Sequence, residues 1–600
     1  MKKKRPADSL LNDLRQLWFY LSRRRRIQLG LLLILLLVTS LSEMVSLGAI
    51  FPFLSALGNA ESLLQNPQIQ PVLSLLQVQT TQRLVQVLAL AFVIAVVVAN
   101  GLRLFTLRVQ VRLAAAIGAD LSSRIYHITL RQPYSFHVRQ NSSDLIQTLT
   151  SDTSKLTSNV ISPCLSLSSN ALLVPGLIAT LLLIDVKIAL GAATVLGGSY
   201  SIIYRTRQRL LKRNSLIISQ AGQQRIKVVQ EGIGGIRDVL LDHSQSFFER
   251  AYLRTEVMLK RAQATNSIIS SSPIYFIEAI ALSAIAFLAL SLGNNGDFSQ
   301  AVPVLGSLAL GAKRLLPALQ QLFGSMTAIQ GSRASLSRVL VALRRPVDAS
   351  LGPIAPLCLE QELRLDGIWF RYGVETGWVL KDLDLAIKAK TTVGFVGSTG
   401  SGKSTTADLI LGLLKPEKGT ILIDGAPLEG GRLRQWQKSI AHVPQQVFLS
   451  DGTLAENIAF GIPKEQIDFD QVRKATKLAQ IETFVEGLPA GYETYVGERG
   501  IRLSGGQRQR IGIARALYKN ASIIVFDEAT SALDNATERE VMAAINGLSG
   551  ELTIILIAHR LSTVQRCDLV VELNQGRVEA QGTYQELIDK SMSFKRMAMV

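Results

Sequence analysis

Long apolar runs recur in the first part of the chain and are missing from the second. Residues 27–57 contain a single charged side chain, Glu43, and residues 84–102 contain none. A helix rises about 1.5 Å per residue, so roughly 20 apolar residues cross the hydrocarbon of a bilayer. Further runs of this kind follow along the same part of the chain. The pattern therefore predicts six membrane-spanning helices, at residues 27–57, 84–102, 160–184, 186–204, 274–292 and 298–323.

The basic residues are distributed unevenly among the segments between these runs. Residues 58–82 and 293–300 contain no Lys or Arg, whereas residues 103–155 contain seven and residues 205–261 contain twelve. Lys and Arg concentrate in the cytoplasmic loops of membrane proteins. This topology accounts for the formal net charge of +18, so we expect no nucleic-acid partner. We expect an integral protein of the cytoplasmic (inner) membrane, with its N-terminus and its soluble part in the cytosol.

The two basic segments are long enough to continue their membrane helices into the cytosol as hairpins. Pro, Gly and Ser/Asp within residues 131–145 and 231–242 predict a turn at the far end of each hairpin. Residues 344–360 contain three prolines and show no helical periodicity, which is typical of a linker. The sequence thus predicts a helical transmembrane domain (residues 1–343), this linker, and a soluble α/β domain (residues 361–600).

A glycine-rich stretch at the start of the soluble part has the spacing of a phosphate-binding loop. Residues 397–404 read GSTGSGKS, after the apolar strand pattern TTVGFV and before the helical pattern TTADLILGLL. In G-x-x-x-x-G-K-[ST] the glycines let backbone N–H groups point at phosphates, Lys403 adds a positive charge, and Ser404 offers a hydroxyl to Mg²⁺. We therefore expect ATP and Mg²⁺ as cofactors. The loop residues expected to bind ATP are Gly397, Ser398, Thr399, Gly400, Ser401, Gly402, Lys403, Ser404 and Thr405.

A second apolar strand pattern, ASIIVFDEAT at residues 521–530, ends in two carboxylates. Asp527 is suited to Mg²⁺, directly or through water. Glu528 is suited to the role of general base, because a carboxylate beside the γ-phosphate can accept the proton of the attacking water. A strand end with two solvated acids is the alternative, and the phosphate-binding loop earlier in the chain disfavours it.

Residues 503–510, LSGGQRQR, resemble the signature sequence of ATP-binding cassette (ABC) proteins. Other stretches match the same family. Gln445 resembles its Q-loop glutamine, Asp534 its D-loop aspartate, His559 its switch histidine, and Tyr372 the aromatic residue that stacks on adenine. The whole chain resembles an ABC exporter half-transporter. The resemblance implies an α-helical six-span transmembrane domain of ABC exporter type, fused to a P-loop α/β nucleotide-binding domain.

The resemblance also implies how the chain works. Two cassettes pair head to tail, so that ATP on one P-loop faces the signature of the other cassette. Glu528, His559 and Gln445 would be the catalytic residues, and Mg²⁺ would contact Ser404, Gln445 and Asp527. Because Glu528, His559 and the LSGGQ sequence are all intact, a homodimer is favoured over a related partner chain. The signature residues expected to face ATP in trans are Leu503, Ser504, Gly505, Gly506 and Gln507.

Three basic residues stand out near the cytoplasmic ends of the membrane helices, namely Arg103, Lys313 and Arg314. Ionisable residues within membrane helices usually face a cavity or one another. In a dimer these three could form a basic ring for the phosphate of a lipid head group. The alternative is snorkelling to the interface together with ion pairs to the intramembrane carboxylates Glu43 and Glu278.

The membrane half most resembles the bacterial lipid-linked oligosaccharide flippases. That family has a short helix outside the membrane, for which residues 60–77 are the candidate, and an arginine directly after the proline that corresponds to Pro273, where this chain has Ile274. The resemblance predicts ATP-driven export or flipping of a lipid-linked oligosaccharide, glycolipid or polysaccharide precursor, with membrane lipids around it. The alternative is a multidrug or lipid A type exporter. A gated channel is disfavoured, because both ATP sites are intact.

Overall fold

The chain forms two compact units in the computed structural model, Met1–Gln132 with Arg139–Asp348, and Pro133–Val138 with Ala349–Val600. The structure describes residues 10–58, 80–184, 186–293, 298–347, 354–528, 535–547, 550–558 and 560–598.

The first unit is helical, since a backbone in lipid must satisfy its own hydrogen bonds. Its long helices follow the apolar runs of the sequence. Between Ser142 and Ile184 the helical path contains two π-helical stretches, Thr148–Asp152 and Thr157–Ile161. The α-helices between residues 10 and 343, of which α5 lies mostly in the second unit, are α1 (Leu10–Tyr20), α2 (Arg23–Gly48), α3 (Ile50–Gly58), α4 (Thr81–Leu130), α5 (Tyr134–Arg139), α6 (Ser142–Gln147), α7 (Thr153–Leu156), α8 (Ser162–Ile184), α9 (Val186–Gly234), α10 (Ile236–Leu241), α11 (Gln245–Ser271), α12 (Pro273–Gly293), α13 (Phe298–Gly331) and α14 (Arg333–Leu343).

Three helical stretches of the described residues are long and apolar enough to cross a membrane: Arg23–Leu57, Thr81–Leu130 and Ser142–Leu182. They contain the first two predicted spans and most of the third. The other three fall in helices α9, α12 and α13, so the count of six spans stays a prediction. The predicted helix at residues 60–77 lies outside the described residues.

Helix α14 is held in the first unit by apolar packing and by a buried ion pair. Leu336 and Val339 are both 0 % exposed, in one apolar cluster with Ile117 and Ile125 of α4. The guanidinium of Arg338 lies 2.8 Å from the carboxylate of Asp152, whose side chain is 0 % exposed. A buried carboxylate needs such a partner, because an uncompensated charge in the interior is costly.

The second unit contains two sheets. The smaller sheet is antiparallel with the order β2-β1-β4-β5, and the larger has the order β10-β9-β3-β8-β7-β6. In the larger sheet β9, β3, β8, β7 and β6 run parallel, and only β10 is antiparallel to its neighbour. The strands are β1 (Glu362–Phe370), β2 (Leu380–Lys388), β3 (Thr392–Val396), β4 (Lys418–Ile423), β5 (Ala426–Pro427), β6 (Ile440–Val443), β7 (Ile523–Asp527), β8 (Thr553–Ile557), β9 (Leu569–Asn574) and β10 (Arg577–Gly582).

Helices cover the parallel strands, which explains why their sequences are continuous apolar runs. All five residues of β3 and of β8 are buried, as expected for strands enclosed on both faces. The helices of this part are α15 (Lys403–Ile410), α16 (Gly430–Ser439), α17 (Leu454–Ile458), α18 (Phe469–Leu478), α19 (Glu482–Glu486), α20 (Gly505–Tyr518), α21 (Asn535–Asn546), α22 (Tyr584–Lys590) and α23 (Met592–Ala598).

The parallel strands bring the predicted nucleotide residues to one edge of the large sheet. Strand β8 lies between β3 and β7, so the loop after β3 and the carboxylates at the end of β7 leave the sheet at neighbouring positions on the same edge. Ligands of open α/β sheets bind at the carboxyl ends of parallel strands. Helix α15 is fixed there by Trp436, which is 0 % exposed and donates its Nε1–H to the Ile410 carbonyl at 2.6 Å.

Candidate functional site

The first and last residues of the loop between β3 and α15 adopt backbone conformations that favour glycine. Gly397 has φ 145° and Gly402 has φ 107°, in the region that side chains disfavour. A Cβ on Gly397 would lie 2.2 Å from the Leu573 carbonyl oxygen, and one on Gly402 would lie 2.6 Å from Leu380 Cδ2. The loop therefore presses against β9 and β2 and delivers the chain directly into α15.

Lys403 closes this loop from inside. Its side chain belongs to a residue that is only 6 % exposed, and its Nζ donates to the carbonyls of Gly397 at 2.8 Å and Ser398 at 3.1 Å. Burial lowers the pKa of Lys403, while the negative charges of Glu528 and Asp527 oppose that shift. The ammonium group of Lys403 is thus held at the loop, where its positive charge would attract a bound phosphate.

Two further features of the loop suit a phosphate ligand. The first-turn N–H groups of α15 have no intrahelical acceptor, and the N-terminus of a helix favours anions. Ser401 is 2 % exposed, and its Oγ has no hydrogen-bond partner among the described residues. An unpaired buried hydroxyl is uncommon in a native structure, and a ligand or a water molecule in the loop would give this one a partner.

Glu528 is held by two glutamines, one at its carboxylate and one at its backbone carbonyl. Glu528 directly follows β7 and has φ 49°, a conformation rare for a side chain of this type and concentrated at functional sites. Gln445 donates its Nε2–H to Glu528 Oε2 at 2.6 Å. Gln509 of α20, 2 % exposed, donates to the Glu528 carbonyl at 3.1 Å, and the Glu528 N–H donates to Ile557 at 3.1 Å. The acid therefore has a fixed orientation.

Gln509 is a site residue that the sequence reasoning missed. It lies within the signature stretch at residues 503–510, but the signature residues expected to face ATP end at Gln507. The feature that could have identified Gln509 is its amide on the buried side of a helix, where a polar group needs a hydrogen-bond partner. The structure shows that partner to be the backbone of Glu528.

The predicted metal ligands are a hydroxyl, a carboxylate and an amide, namely Ser404, Asp527 and Gln445. The described residues contain no group of three or more His, Cys, Asp or Glu that could hold a metal ion. Mg²⁺ is commonly bound by one or two carboxylates together with water and substrate phosphates. The donor set therefore suits Mg²⁺ bound with ATP, and the ion would neutralise charge on the phosphates.

The remaining predicted residues are placed as follows. The Tyr372 hydroxyl lies 3.1 Å from Thr405 Oγ1, which puts the ring beside the loop helix. Ser504 caps α20: its Oγ accepts from the Gln507 N–H at 3.2 Å, and Gln507 Oε1 accepts from the Ser504 N–H at 2.8 Å. The first-turn N–H groups of α20, which begins at Gly505, are thus presented to an incoming ligand. Asp534 and His559 lie outside the described residues.

Asp408 of α15 allows a test of how burial and charge affect a carboxyl group near the phosphate-binding loop. Burial and the charge of Asp527 raise its pKa to about 6. The folded state then binds this proton more tightly than the unfolded state, so the associated stability is present below about pH 4 and is lost as pH rises through 6. Asp408→Asn should therefore unfold a few degrees higher than wild type at pH 8, since about 1 kcal/mol shifts the transition of such a domain by roughly 2–4 °C.

Calorimetry of the detergent-purified protein across pH checks this expectation. The difference between Asp408→Asn and wild type should vanish near pH 4. Asp451→Asn is the matched control, because Asp451 is exposed. A difference that is independent of pH would show that packing and not ionisation of Asp408 is responsible.

Membrane helices line an open cavity of 370 Å³ within the first unit, with both polar and apolar side chains in its wall. Helices α2, α4, α8 and α13 line it. Hydroxyl and amide groups form much of its wall, and two of the hydroxyls, Thr39 Oγ1 and Thr106 Oγ1, share a hydrogen bond of 2.7 Å. Polar side chains that line this cavity include Thr39, Ser40, Asn100, Ser166, Ser169 and Asn170.

The predicted head-group residues have different surroundings. Arg314 donates to Glu43 and, at 3.2 Å, to Ser46, which is the ion pairing that the sequence left open as an alternative. Arg103 lines the cavity and lies 3.8 Å from Glu43, but its side chain is 61 % exposed whereas that of Glu43 is 4 % exposed. Lys313 is exposed. The structure thus brings Arg103, Arg314 and Glu43 together and leaves Lys313 apart.

Comparison with known proteins finds a matching family model in each of the two units. Residues 27–305 match the family model "ABC transporter transmembrane region", and residues 380–531 match the model "ABC transporter". A protein of Cupriavidus metallidurans named "ATP-dependent lipid A-core flippase" is 33% identical over 77% of this chain and 78% of its own length. One of the same name from Saccharophagus degradans is 34% identical over 79% of this chain and 80% of its own length.

A solved structure shows the same fold over nearly the whole chain. It is described as a bacterial Atm1-family ABC exporter with ATP bound, with a TM-score of 0.77 and 23% identity, covering 96% of this chain and 98% of that chain. These findings confirm a helical membrane domain fused to a P-loop α/β domain. The chain belongs to the ABC transporter family, as a half-transporter whose nucleotide-binding domain couples ATP hydrolysis to transport.

Proposed function

We propose that the protein is a homodimeric flippase that moves a lipid with a phosphorylated, hydroxyl-rich head group of lipid A type across the cytoplasmic membrane. The cavity beside Arg103 is the observation that carries this proposal. Six spans, a cytoplasmic N-terminus and a cytoplasmic nucleotide-binding domain complete the arrangement.

The cavity has the chemistry of a head-group site. Polar and charged side chains are costly inside a membrane and usually mark a substrate path. Hydroxyls and amides such as those of Thr39, Asn100 and Asn170 can exchange hydrogen bonds with sugar hydroxyls. Arg103 offers a guanidinium that pairs with phosphate in a bidentate manner. Because Arg314 is engaged by Glu43 and Ser46, Arg103 is the better candidate of the two for the first contact with an anion.

The relatives favour one of the two substrate classes. The protein from Cupriavidus metallidurans and that from Saccharophagus degradans are both named for lipid A-core. Lipid-linked oligosaccharides, the first expectation from sequence, find no specific support there. A lipid A type substrate, the alternative, fits these names better and shares phosphate and sugar hydroxyls with the first class. A hydrophobic drug has neither group and would leave the hydroxyl and amide groups of the cavity wall without partners.

The nucleotide residues suit a two-site ATPase. In a head-to-tail pair, the Lys403 ammonium and the first-turn N–H groups of α15 would bind the phosphates of one ATP, while Ser504 and the N-terminus of α20 of the second copy would cover it. Gln445 and Gln509 orient Glu528, which would accept the proton of the attacking water. Ser404, Asp527 and Gln445 would hold Mg²⁺, and His559 would contact the γ-phosphate.

Substrate stimulation of the ATPase in proteoliposomes tests the proposal. Lipid A–core, a lipid-linked oligosaccharide and a hydrophobic drug are compared as activators. We expect lipid A–core to stimulate wild type and Arg103→Ala to lose most of that stimulation while its basal rate remains. Arg108→Ala is the matched control, since Arg108 is an exposed arginine of the same helix that is not part of the cavity wall.

Other outcomes would contradict the proposal. Stimulation by the drug alone would indicate a multidrug exporter, and stimulation by the lipid-linked oligosaccharide alone would restore the first expectation from sequence. If Arg103→Ala and Arg108→Ala behave alike, the cavity is not the head-group site.

A further inference from the structure

Helix α1, which precedes the first membrane helix, has one apolar side that packs within the unit and other large apolar side chains that are exposed. Leu17 is 7 % exposed, and Leu10 and Leu14 pack against the same apolar cluster. Away from this packed side, Leu11 is 77 % and Phe19 is 63 % exposed. The inner side is accounted for by packing within the unit, whereas the outer side presents large apolar groups to its surroundings.

The position of α1 is fixed by polar contacts to the other end of the unit. The Asp13 carboxylate lies 3.2 Å from the guanidinium of Arg333, at the start of α14. Gln16 accepts a hydrogen bond from Arg344, directly after α14. Helix α1 is therefore a folded part of the first unit, and its outer side has a defined orientation.

Trp18 lies on this outer side, next to the start of the first membrane helix. It is 45 % exposed, and the guanidinium of Arg26 lies 6.0 Å from the centroid of its ring. Tryptophan is enriched where a membrane meets water. Because α1 ends at Tyr20 and α2 begins at Arg23, Trp18 is only a few residues from a helix long and apolar enough to cross the membrane.

Two arginines at the start of α2 form no ion pair with a described residue. Arg25 pairs with Asp120 at 2.8 Å, and Arg26 donates to the Phe19 carbonyl at 2.9 Å. Arg23 and Arg24, by contrast, are exposed, and the charge of Arg24 only adds, without a direct ion pair, to the effect of Arg25 that lowers the pKa of Asp120. Basic residues at this depth attract anionic lipids of the cytoplasmic leaflet.

From this arrangement we infer that the outer side of α1, formed by Leu11, Trp18 and Phe19, together with Arg23 and Arg24 is a binding site for an anionic phospholipid. The apolar side chains would enter the interface as in amphipathic helices that lie on membranes. Arg23 and Arg24 would bind the phosphate and select negative lipids over zwitterionic ones. This site is separate from the cavity beside Arg103 and does not depend on the transported substrate.

Fluorescence of Trp18 in reconstituted full-length protein tests the inference. The chain has four tryptophans, so the difference between wild type and Trp18→Phe isolates the emission of Trp18. Brominated phosphatidylglycerol and brominated phosphatidylcholine are compared as quenchers at equal molar fraction in otherwise identical membranes. We expect stronger quenching by the phosphatidylglycerol, and Arg23→Gln/Arg24→Gln, measured against the same background with Trp18→Phe, should remove the preference.

The size of the effect follows from the charge. Each basic residue near an anionic surface contributes about 1 kcal/mol, which is roughly a fivefold change in local lipid enrichment. Arg250→Gln/Arg254→Gln, two exposed arginines of the cytoplasmic helix α11, removes the same charge and should leave the preference intact. Continued quenching of Arg23→Gln/Arg24→Gln by phosphatidylcholine would show that α1 still lies at the membrane.

Three results would overturn the inference. Equal quenching of wild type by the two lipids would show that the site does not select anions. A preference that survives Arg23→Gln/Arg24→Gln would assign it to other residues. No quenching by either lipid would show that protein, such as a second copy of the chain, covers the outer side of α1.

Discussion

Replacement of Glu528 by Gln should lower the ATPase rate by about 10²-fold or more, because a positioned general base contributes roughly 10²–10⁴ to a proton transfer. The amide keeps the shape of the side chain and can still accept the hydrogen bond that Gln445 donates at 2.6 Å. It cannot accept a proton from water. ATP binding should therefore persist while phosphate release is lost, as measured with the purified protein in proteoliposomes.

The control separates the base from a general loss of negative charge. Glu465→Gln makes the same chemical change at an exposed position and should leave the rate close to wild type. Gln509→Ala should give an intermediate loss, since it releases the Glu528 carbonyl held at 3.1 Å and leaves the carboxylate in place. If Glu528→Gln keeps more than a tenth of the rate, another group must accept the proton.

The nucleotide site could be predicted because its residues lie in short, contiguous stretches of the sequence. A phosphate-binding loop needs glycine at Gly397 and Gly402, where the structure leaves no room for a Cβ, and these residues stand beside Lys403 in the sequence. The buried strands β3, β7 and β8 could be predicted equally well, since parallel strands enclosed on both faces are apolar throughout. Local spacing thus determined both the loop and the strands around it.

The contacts between distant parts of the chain could not be predicted in this way. The pair Arg314–Glu43 joins residues 271 positions apart, so the sequence could not decide between a substrate contact and an ion pair. The same holds for Gln509 and the Glu528 carbonyl, which meet only because α20 packs beside β7. Whether an intramembrane charge is paired depends on helix packing, and no periodicity of the sequence encodes that packing directly.

The proposed head-to-tail homodimer leads to a prediction about Ser504. Ser504→Asp should abolish most ATPase activity, whereas Ser504→Asn should retain far more. Asp and Asn cap helices about as well as Ser, so both should preserve the start of α20 that Ser504 now caps. Only Asp places a negative charge where the γ-phosphate bound to the second copy would lie. Equal activity of the two variants would mean that Ser504 is a helix cap and nothing more.

A mixture of two inactive variants distinguishes a site shared between chains from one within a chain. Lys403→Ala removes the P-loop charge, and Ser504→Asp blocks the signature. If each ATP lies between one P-loop and the signature of the other copy, a mixed dimer carries both defects in one site and keeps the other site complete. Coexpression should then restore up to roughly a quarter of wild-type activity, because about half of the dimers are mixed. If no activity returns, either the copies do not pair head to tail or one complete site cannot turn over alone. Wild type mixed with the Lys403→Ala/Ser504→Asp double variant separates these outcomes, since such dimers have no complete shared site and should lose activity only if sites are shared.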